Sequence, residues 1–375
     1  MTAITLIAEP FPDWQAETHA AAIRDLTRAI AATAPRSCSA RYLVARGSTV
    51  PEFASPLIRV DHLPMKASSL PFMWRNGPAA RPLDGEFVHA HTPLVPLRSH
   101  GEDDGSQSSV MIPHALAWEA PELLGAARSR QFRGYTRRAV RLADVVLTPT
   151  HATARVIREH YGDDLPVQVL QLAPPSEYLQ PADHLERRAA FGLPSDYALT
   201  TAMPGDHGRL EWVLDAMRAD PALPSLVVLE GVDPVVVTKS KEPADPAAAV
   251  TAAIPPEIAQ RVTVVRPRDL TDIGAVISGA SLLLQPQAFA DTGYTVLAAL
   301  RANVPVLHAG RPATAETVLD AGASAESAQD FSLELSRLFR EERALETLAV
   351  LARDRSRGFS WESAAWQLWE THANL

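Results

Sequence analysis

The stretch with the clearest capacity for chemistry is residues 282–306, LLLQPQAFADTGYTVLAALRANVPV. It runs from a short apolar segment through a polar turn into a helix and then to a Val-Pro-Val segment. The turn at Thr292, Gly293, Tyr294 and Thr295 would place backbone N–H groups at a helix start, where the helix itself offers no acceptor. Such amides bind phosphate and other anions without help from charged side chains. The same pattern is also typical of an ordinary strand-to-helix turn with a threonine cap.

Three basic side chains are candidates for holding an anion near that turn. His207 and Arg209 follow the segment YALTTAM, and Arg268 follows the segment VTVV. Arg209 could bind a diphosphate directly, whereas His207 is only partly charged near neutral pH. The alternative for both is a surface turn before a helix, capped by Asp206. His114 follows VMIP at a predicted strand end, where a reacting group and a structural histidine are both reasonable interpretations.

Strand-like and helix-like segments alternate along the chain, which predicts an α/β fold of parallel sheets covered by helices on both faces. Ligands of such sheets bind beyond the carboxyl ends of the strands, and all the candidate residues follow strands. A chain of 375 residues is long enough for two domains, each with its own core. The proline-bearing segment APPSEYLQPADH marks the predicted boundary. The polar, then Ala- and Pro-rich segment 239–257 predicts a surface insertion.

Composition narrows the function classes. The 46% hydrophobic and 21% charged shares are ordinary for a soluble protein, and no apolar run is long enough to span a membrane. The single Cys38 and a first segment typical of a strand rather than a secretory signal predict a cytoplasmic protein. The net charge of −9 argues against nucleic acid as a partner. The high Ala, Arg and Pro content suggests a bacterial source.

Several common catalytic patterns are absent from the sequence. It contains no GxSxG elbow, no Walker loop, no Cys/His metal spacing and no GxGxxG after the first strand-like segment. These absences argue against serine hydrolases, P-loop enzymes, metal-dependent hydrolases and dehydrogenases.

The ordered set of motifs resembles the family-4 glycosyltransferases of the GT-B fold. FVHAHTPLVPL, VMIPHALAWEAPELL, ADVVLTPTHATARVI, RVTVVRP and VPVLHAGRPATAETVLDAG occur in the family's order, and FSWESAAWQLWE resembles its closing helix. The resemblance implies two Rossmann-like, doubly wound parallel-sheet domains facing across a cleft. It places an N-terminal, acceptor-side domain at 1–178 and a C-terminal, nucleotide-sugar-side domain at 179–352. Residues 353–375 would form a helix that packs back on the N-terminal domain.

The resemblance also implies an activity. A hexose would pass from a nucleotide-diphosphate sugar to a hydroxyl acceptor with retention, without a metal or other cofactor. The diphosphate would lie at Thr292–Thr295 with Arg209 and His207 near it, and the base near Arg268. His114 matches the family histidine that lies near the reacting sugar.

The departures from the family pattern fall on the donor site. The family's two donor-site glutamates align with Ala290 and Ala298, and its phosphate-binding Arg and Lys align with Ala202 and His207. Removing one such contact typically costs about a hundredfold in rate, because charge develops on the leaving group in the transition state. Two hypotheses therefore stay open: an active transferase, and a catalytically silent relative that serves as a binding or regulatory subunit of a glycosylation complex. A third is an enzyme with a less anionic donor.

Residues 128–141 contain a run of six arginines. Its members are Arg128, Arg130, Arg133, Arg137, Arg138 and Arg141. The favoured interpretation is a solvated helix face paired with local acids. The second is a patch that contacts an anionic membrane surface, as in family members that act on lipid acceptors.

Overall fold

A computed structural model describes residues 2–76, 87–97, 105–230 and 246–375. The chain divides into two compact units: unit 1 is Met1–Ala173 with Ser360–Leu375, and unit 2 is Pro174–Phe359. The predicted boundaries, after residues 178 and 352, lie a few residues from this division. Residues just after 173 join unit 2 because the 3₁₀ turn Ser176–Tyr178 packs closely against a helix of that unit at Gly274. A Cβ on Gly274 would lie 2.6 Å from the carbonyl oxygen of Glu177.

Unit 1 is built on a parallel sheet whose seven described strands follow the order β3-β2-β1-β4-β5-β6-β7. The strands are β1 (Thr2–Ile7), β2 (Cys38–Val44), β3 (Ile58–His62), β4 (Phe87–Ala90), β5 (Gln107–Met111), β6 (Val145–Thr148) and β7 (Val167–Val169). Helices of the first part of the chain are α1 (Ala16–Ala32), α2 (Leu70–Asn76), α3 (Leu116–Glu119), α4 (Pro121–Leu124), α5 (Ala126–Leu142) and α6 (His151–Tyr161).

The last helix of the chain belongs to unit 1, as the sequence predicts. It spans Trp361–Ala373, begins after a Ser360 side chain that accepts from the Ser363 amide, and packs on α1. The Trp369 indole N–H donates to the Ile30 carbonyl at 3.3 Å. The predicted return of the C-terminal helix to the N-terminal domain is therefore confirmed.

Unit 2 repeats the architecture with six described parallel strands in the order β10-β9-β8-β11-β12-β13. The strands are β8 (Tyr197–Thr200), β9 (Ser225–Leu229), β10 (Val262–Val265), β11 (Leu282–Gln285), β12 (Val306–His308) and β13 (Gly322–Ser324). The helices are α7 (His184–Ala190), α8 (Leu210–Ala219), α9 (Pro246–Ala253), α10 (Leu270–Ile277), α11 (Tyr294–Arg301), α12 (Pro312–Val318), α13 (Ala328–Arg340) and α14 (Ala344–Ser356). The closing helix Trp361–Ala373 is α15.

The predicted surface insertion at 239–257 contains a helix in its second part. Residues 239–245 lie outside the described residues, but the part from Pro246 onward forms α9. Val250 of α9 is fully buried in the core of unit 2, beside Leu226 and Met217. Most of the other described residues of this segment are exposed, so the segment lies at the surface of unit 2 and buries Val250.

Each sheet reverses its strand order once, at β1/β4 in unit 1 and at β8/β11 in unit 2. In doubly wound sheets this reversal is where ligands bind, beyond the carboxyl ends of the strands. The predicted fold class is confirmed, since both sheets are parallel and flanked by helices. Within the described part of the chain, no helix is both long and apolar enough to cross a bilayer.

Candidate functional site

In unit 2 the loops that follow β8 and β11 are joined into one surface. The Thr200 hydroxyl donates to the Leu284 carbonyl at 2.9 Å, where the two strands end. Farther out, the Ala288 amide donates to the His207 carbonyl at 2.9 Å, and the Gln287 side-chain amide donates to the Thr201 hydroxyl at 3.1 Å. The backbone of His207 therefore holds the two loops together.

The predicted anion-binding turn forms, but one of its amides is already bonded. Gly293 has a φ of 85°, in the left-handed region, and the Gly293 amide donates to the Asp291 carboxylate at 2.8 Å. The expectation of wholly open amides is wrong at this position, because a carboxylate two residues earlier closes the turn. Thr292 and Tyr294 are buried, whereas Thr295 is half-buried. The Tyr294 ring is part of the core, so only backbone could serve a ligand there.

Arg209 lies at the start of α8, on the loop after β8. Its φ of 56° is left-handed, a conformation that costs a residue with a Cβ roughly 1–2 kcal/mol. Its guanidinium carbon lies 4.4 Å from the centre of the Trp212 ring, which holds the cation in place. Burial lowers the pKa of Arg209, and the positive charge of Arg311 lowers it further.

Arg311 brings a second cation to this surface. It precedes α12 on the loop after β12, and β12 neighbours β11 in the sheet. Sequence reasoning missed it, although its position directly after a buried strand was a usable signal. Two guanidinium groups on loops that follow strands on either side of β11 form a surface suited to an anion with more than one negative charge.

The positions where the resemblance places charged groups are filled by core alanines. Ala202 and Ala298 are fully buried, and Ala290 is half-buried. The side chain of His207 is half-buried on the loop after β8. The structure therefore joins the loop that carries His207 and Arg209 to the loop that leads to the 292–295 turn, and none of the three alanines offers an acidic group.

Arg268 is placed elsewhere, after the edge strand β10. Two of its nitrogens donate to the Asp272 carboxylate, each at 2.8 Å, and its guanidinium lies 5.1 Å from the Phe191 ring centre. Asp272 is fully buried and also bonds Arg187 at 2.7 Å. Burial raises the pKa of Asp272, but hydrogen bonds from Arg268 and Arg187 outweigh burial and hold that pKa well below its usual value. Arg268 thus neutralises a buried carboxylate, which leaves its donor-binding role a prediction.

In unit 1, His114 follows β5 and is 1% exposed. Its ring stacks on Phe132 at 4.9 Å and on Trp14 at 6.4 Å, and its Nε2 lies 3.6 Å from the Asp13 carboxylate. Burial raises the pKa of Asp13, but its interactions with His114 and His19 more than offset burial, so that pKa is lowered. Sequence reasoning missed Asp13, which lies after β1 at the switch point of this sheet.

Further buried histidines lie beneath this pair. The Ser109 hydroxyl bridges His89 Nδ1 at 2.9 Å and His372 Nε2 at 3.1 Å, and the His19 and His91 rings lie 5.8 Å apart. Burial lowers the pKa of His19 and of His372 to about 4, and that of His89 to about 3. With pKa values this low the rings carry no charge at pH 7, and they are packed in the interior of unit 1. Among the described residues, no group of three or more His, Cys, Asp or Glu is arranged to hold a metal.

No protein-family model and no curated protein matches the sequence. Solved structures do match it along its whole length. A sucrose-phosphate synthase (tll1590) from Thermosynechococcus elongatus is 17% identical with a TM-score of 0.73, covering 100% of this chain and 99% of that chain. WaaG, a glycosyltransferase involved in lipopolysaccharide biosynthesis, is 15% identical with a TM-score of 0.62 and covers 97% and 98%. Anabaena Alr3699/HepE in complex with UDP-glucose is 12% identical with a TM-score of 0.65 and covers 100% of both chains.

These likenesses show the fold. Two doubly wound parallel sheets in one chain, with the last helix returned to the first sheet, define the GT-B fold, and the structures that share it include glycosyltransferases. The fold predicted from the ordered motifs is therefore confirmed at the level of architecture.

Proposed function

We propose that the protein binds a nucleotide-diphosphate sugar on unit 2 and transfers its hexose to a hydroxyl acceptor with retention of configuration. The observation that carries this proposal is topological: Arg209 and Arg311 lie on the loops that follow β8 and β12, the two strands on either side of β11, whose own loop leads to the Gly293 turn. A diphosphate there would reduce the repulsion between the two cations. The full-length likeness to HepE, whose structures hold UDP and UDP-glucose, supports the same ligand class.

In the chemical step, Arg209 and Arg311 would stabilise the negative charge that develops on the leaving diphosphate. When the bond between the sugar C1 and the diphosphate oxygen breaks, negative charge grows on the leaving diphosphate, and fixed guanidinium groups stabilise it. The acceptor hydroxyl forms the new bond to C1 and its proton passes to the oxygen of the leaving diphosphate, so the products are the glycosylated acceptor and the nucleoside diphosphate. His114, braced by Asp13, is the residue we propose to lie near the transferred sugar, as the motif resemblance implies.

Calorimetric titration with UDP-, GDP- and ADP-glucose tests the binding step, and release of free nucleotide tests turnover. We expect one of these donors to bind, and Arg209→Ala to weaken it by about tenfold to a hundredfold, the range for a lost charge-assisted hydrogen bond. Arg218→Ala is the matched control, since Arg218 lies on the exposed side of α8 and pairs with Asp215 at 2.8 Å. If no donor binds at millimolar concentration, or if Arg209→Ala leaves the affinity unchanged, the proposal fails.

A second candidate function is a protein that binds the nucleotide sugar but does not catalyse transfer of its hexose. Ala202 and Ala298 are packed in the core, where the family's charged donor-site groups are expected, so the site has fewer groups to stabilise a leaving diphosphate. On this alternative the protein is a silent binding or regulatory subunit of a glycosylation complex. Tight nucleotide binding without any nucleotide release, across a panel of hydroxyl acceptors, would favour it.

A further inference from the structure

A cavity of about 260 Å³ lies between α2 and α5 of unit 1, and its lining is dominated by arginine. Arg75 comes from α2, and Arg130, Arg137, Arg138 and Arg141 come from α5. Arg130, Arg137 and Arg141 are spaced by seven and four residues, which places them on one helix face, and Arg138 follows Arg137 directly at the side of that face. Like charges at this spacing destabilise a helix by about 0.2–0.5 kcal/mol per pair. The chain as a whole has a net charge of −9, so this cluster of positive charge contrasts with the rest of the protein.

The five guanidinium groups have no acidic partners within the described residues. None of them forms an ion pair with a carboxylate there. Elsewhere in the protein, clustered arginines are paired; Arg187 contacts three aspartates and Arg337 contacts two glutamates. The favoured sequence-based interpretation of this run is therefore right about exposure, since Arg130, Arg137 and Arg141 are exposed, but the pairing with local acids is not found among the described residues.

Arg138 has a buried nitrogen that lacks a hydrogen-bond acceptor. One of its terminal nitrogens donates to the Leu97 carbonyl, while its Nε is buried and has no acceptor among the described residues. A buried donor left without an acceptor costs about 1–3 kcal/mol. The Nε is closed to water in this arrangement, so an anion in the cavity would reach it only after the Arg138 side chain turned toward the cavity.

A glycine keeps the cavity open. Gly134 lies on the same face of α5 as the arginines, in the middle of a helix, where glycine costs about 1 kcal/mol relative to alanine. A Cβ at this position would meet no described atom within 4 Å, so packing does not call for glycine here. Beside it, the Tyr135 hydroxyl donates to the Pro71 carbonyl and fixes α2 against α5, which sets the position of Arg75.

We propose that this cavity, the arginine pocket, binds the phosphoryl group of a small phosphate ester. Guanidinium groups match the geometry of phosphate oxygens through paired hydrogen bonds, and arginine is the usual residue where such recognition matters. The volume is several times the roughly 30 Å³ that one water occupies, so the pocket accepts a compact group larger than water. The same chemistry is offered by a free phosphorylated metabolite and by a lipid headgroup that carries a phosphate monoester.

The test uses the whole protein with two probes. Inorganic phosphate and pyrophosphate are titrated by calorimetry, and vesicles of phosphatidylcholine with or without phosphatidic acid are used in a sedimentation assay. The variants are Gly134→Leu, which fills the cavity from a helical position, and the double variant Arg137→Ala, Arg141→Ala, which removes two exposed charges. Arg155→Ala, an exposed arginine of α6, is the control for loss of charge.

We expect wild-type protein to bind at least one probe, and both variants to weaken that binding by tenfold or more, while Arg155→Ala retains it. Binding of free phosphate identifies a soluble ligand, and binding of only the phosphatidic acid vesicles identifies a lipid as the source of the phosphoryl group. The proposal is overturned if neither probe binds, or if the variants bind as wild type does. It is also overturned if phosphate binding is lost in Arg209→Ala, since the ion would then lie in unit 2. The affinity for a nucleotide sugar should be the same in the pocket variants, so this result is separate from the proposed function.

Discussion

The substitution Gly293→Leu has two predicted effects at the unit 2 turn, a loss of folding stability from the backbone conformation and a loss of affinity for the nucleotide sugar. Gly293 has a φ of 85°, and an added Cβ would meet no atom within 4 Å. The stability cost is therefore the conformational one, roughly 1–2 kcal/mol for a left-handed residue. A domain of 150–250 residues loses about 2–4 °C in Tm per kcal/mol, so we expect a decrease of about 2–8 °C and a protein that still folds. The leucine side chain would stand at the start of α11, where we place the diphosphate, and each blocked contact should cost about tenfold in affinity.

Gly192 provides the matched control for this substitution. It lies after α7 in the same unit, has a φ of 64°, and an added Cβ there would also meet nothing within 4 Å. Gly192→Leu should therefore lower the Tm of the protein by a similar amount without changing nucleotide-sugar affinity. Calorimetry and thermal unfolding of both variants give the comparison. If the two variants bind a nucleotide sugar equally well, or lose affinity equally, the turn does not hold the ligand.

Three further predictions follow from charges that the structure places. Asp291→Asn keeps an acceptor for the Gly293 amide but removes a negative charge beside the proposed diphosphate, so UDP should bind several-fold more tightly by calorimetry; weaker binding would show that the carboxylate contacts the ligand favourably. Asp272→Asn breaks a buried ion pair and should lower the free energy of unfolding by about 3 kcal/mol in urea titrations, whereas no loss would refute the role assigned to Arg268. Because the pKa values of His19, His89 and His372 are lowered in the folded protein, these rings stay neutral there as the pH falls below 6.5. In the unfolded chain each histidine has a pKa of about 6.5 and binds a proton below that pH. Stability should be complete above pH 6.5 and fall as the pH decreases toward 4, by up to about 1.4 kcal/mol per pH unit for each histidine, and a flat profile would contradict the burial of these rings.

Much of the fold could be predicted because its signals are local. The apolar segments that became β8 and β11 are short, rich in branched residues and bounded by turn residues, and such patterns survive without any tertiary information. Strand β3 has a weaker local signal, because its burial alternates only weakly at the edge of the sheet, within a proline-bearing region. Val250 was missed because a helix of alanines has no strong periodicity to reveal which face is buried.

The candidate site was only partly predictable, because side-chain partners are chosen by tertiary packing. The sequence places Arg268 after a strand and so suggests a ligand, but it cannot show that Asp272 lies beneath it in the folded protein. Sequence spacing likewise gives no sign that Arg311 would come close to Arg209 from a loop about a hundred residues away. The bond from the Gly293 amide to Asp291 is different, because it joins residues two apart in a local turn that aspartate favours. Backbone features such as the turn before α11 were easier to predict than the side chains around them.

A crystal structure of the protein with bound UDP tests the central claim most directly. The account predicts a diphosphate at the carboxyl end of β11, with its oxygens about 3 Å from the guanidinium nitrogens of Arg209 and Arg311 and from the Thr295 amide. Density for UDP at another surface of unit 2, or contacts to neither arginine, would contradict it.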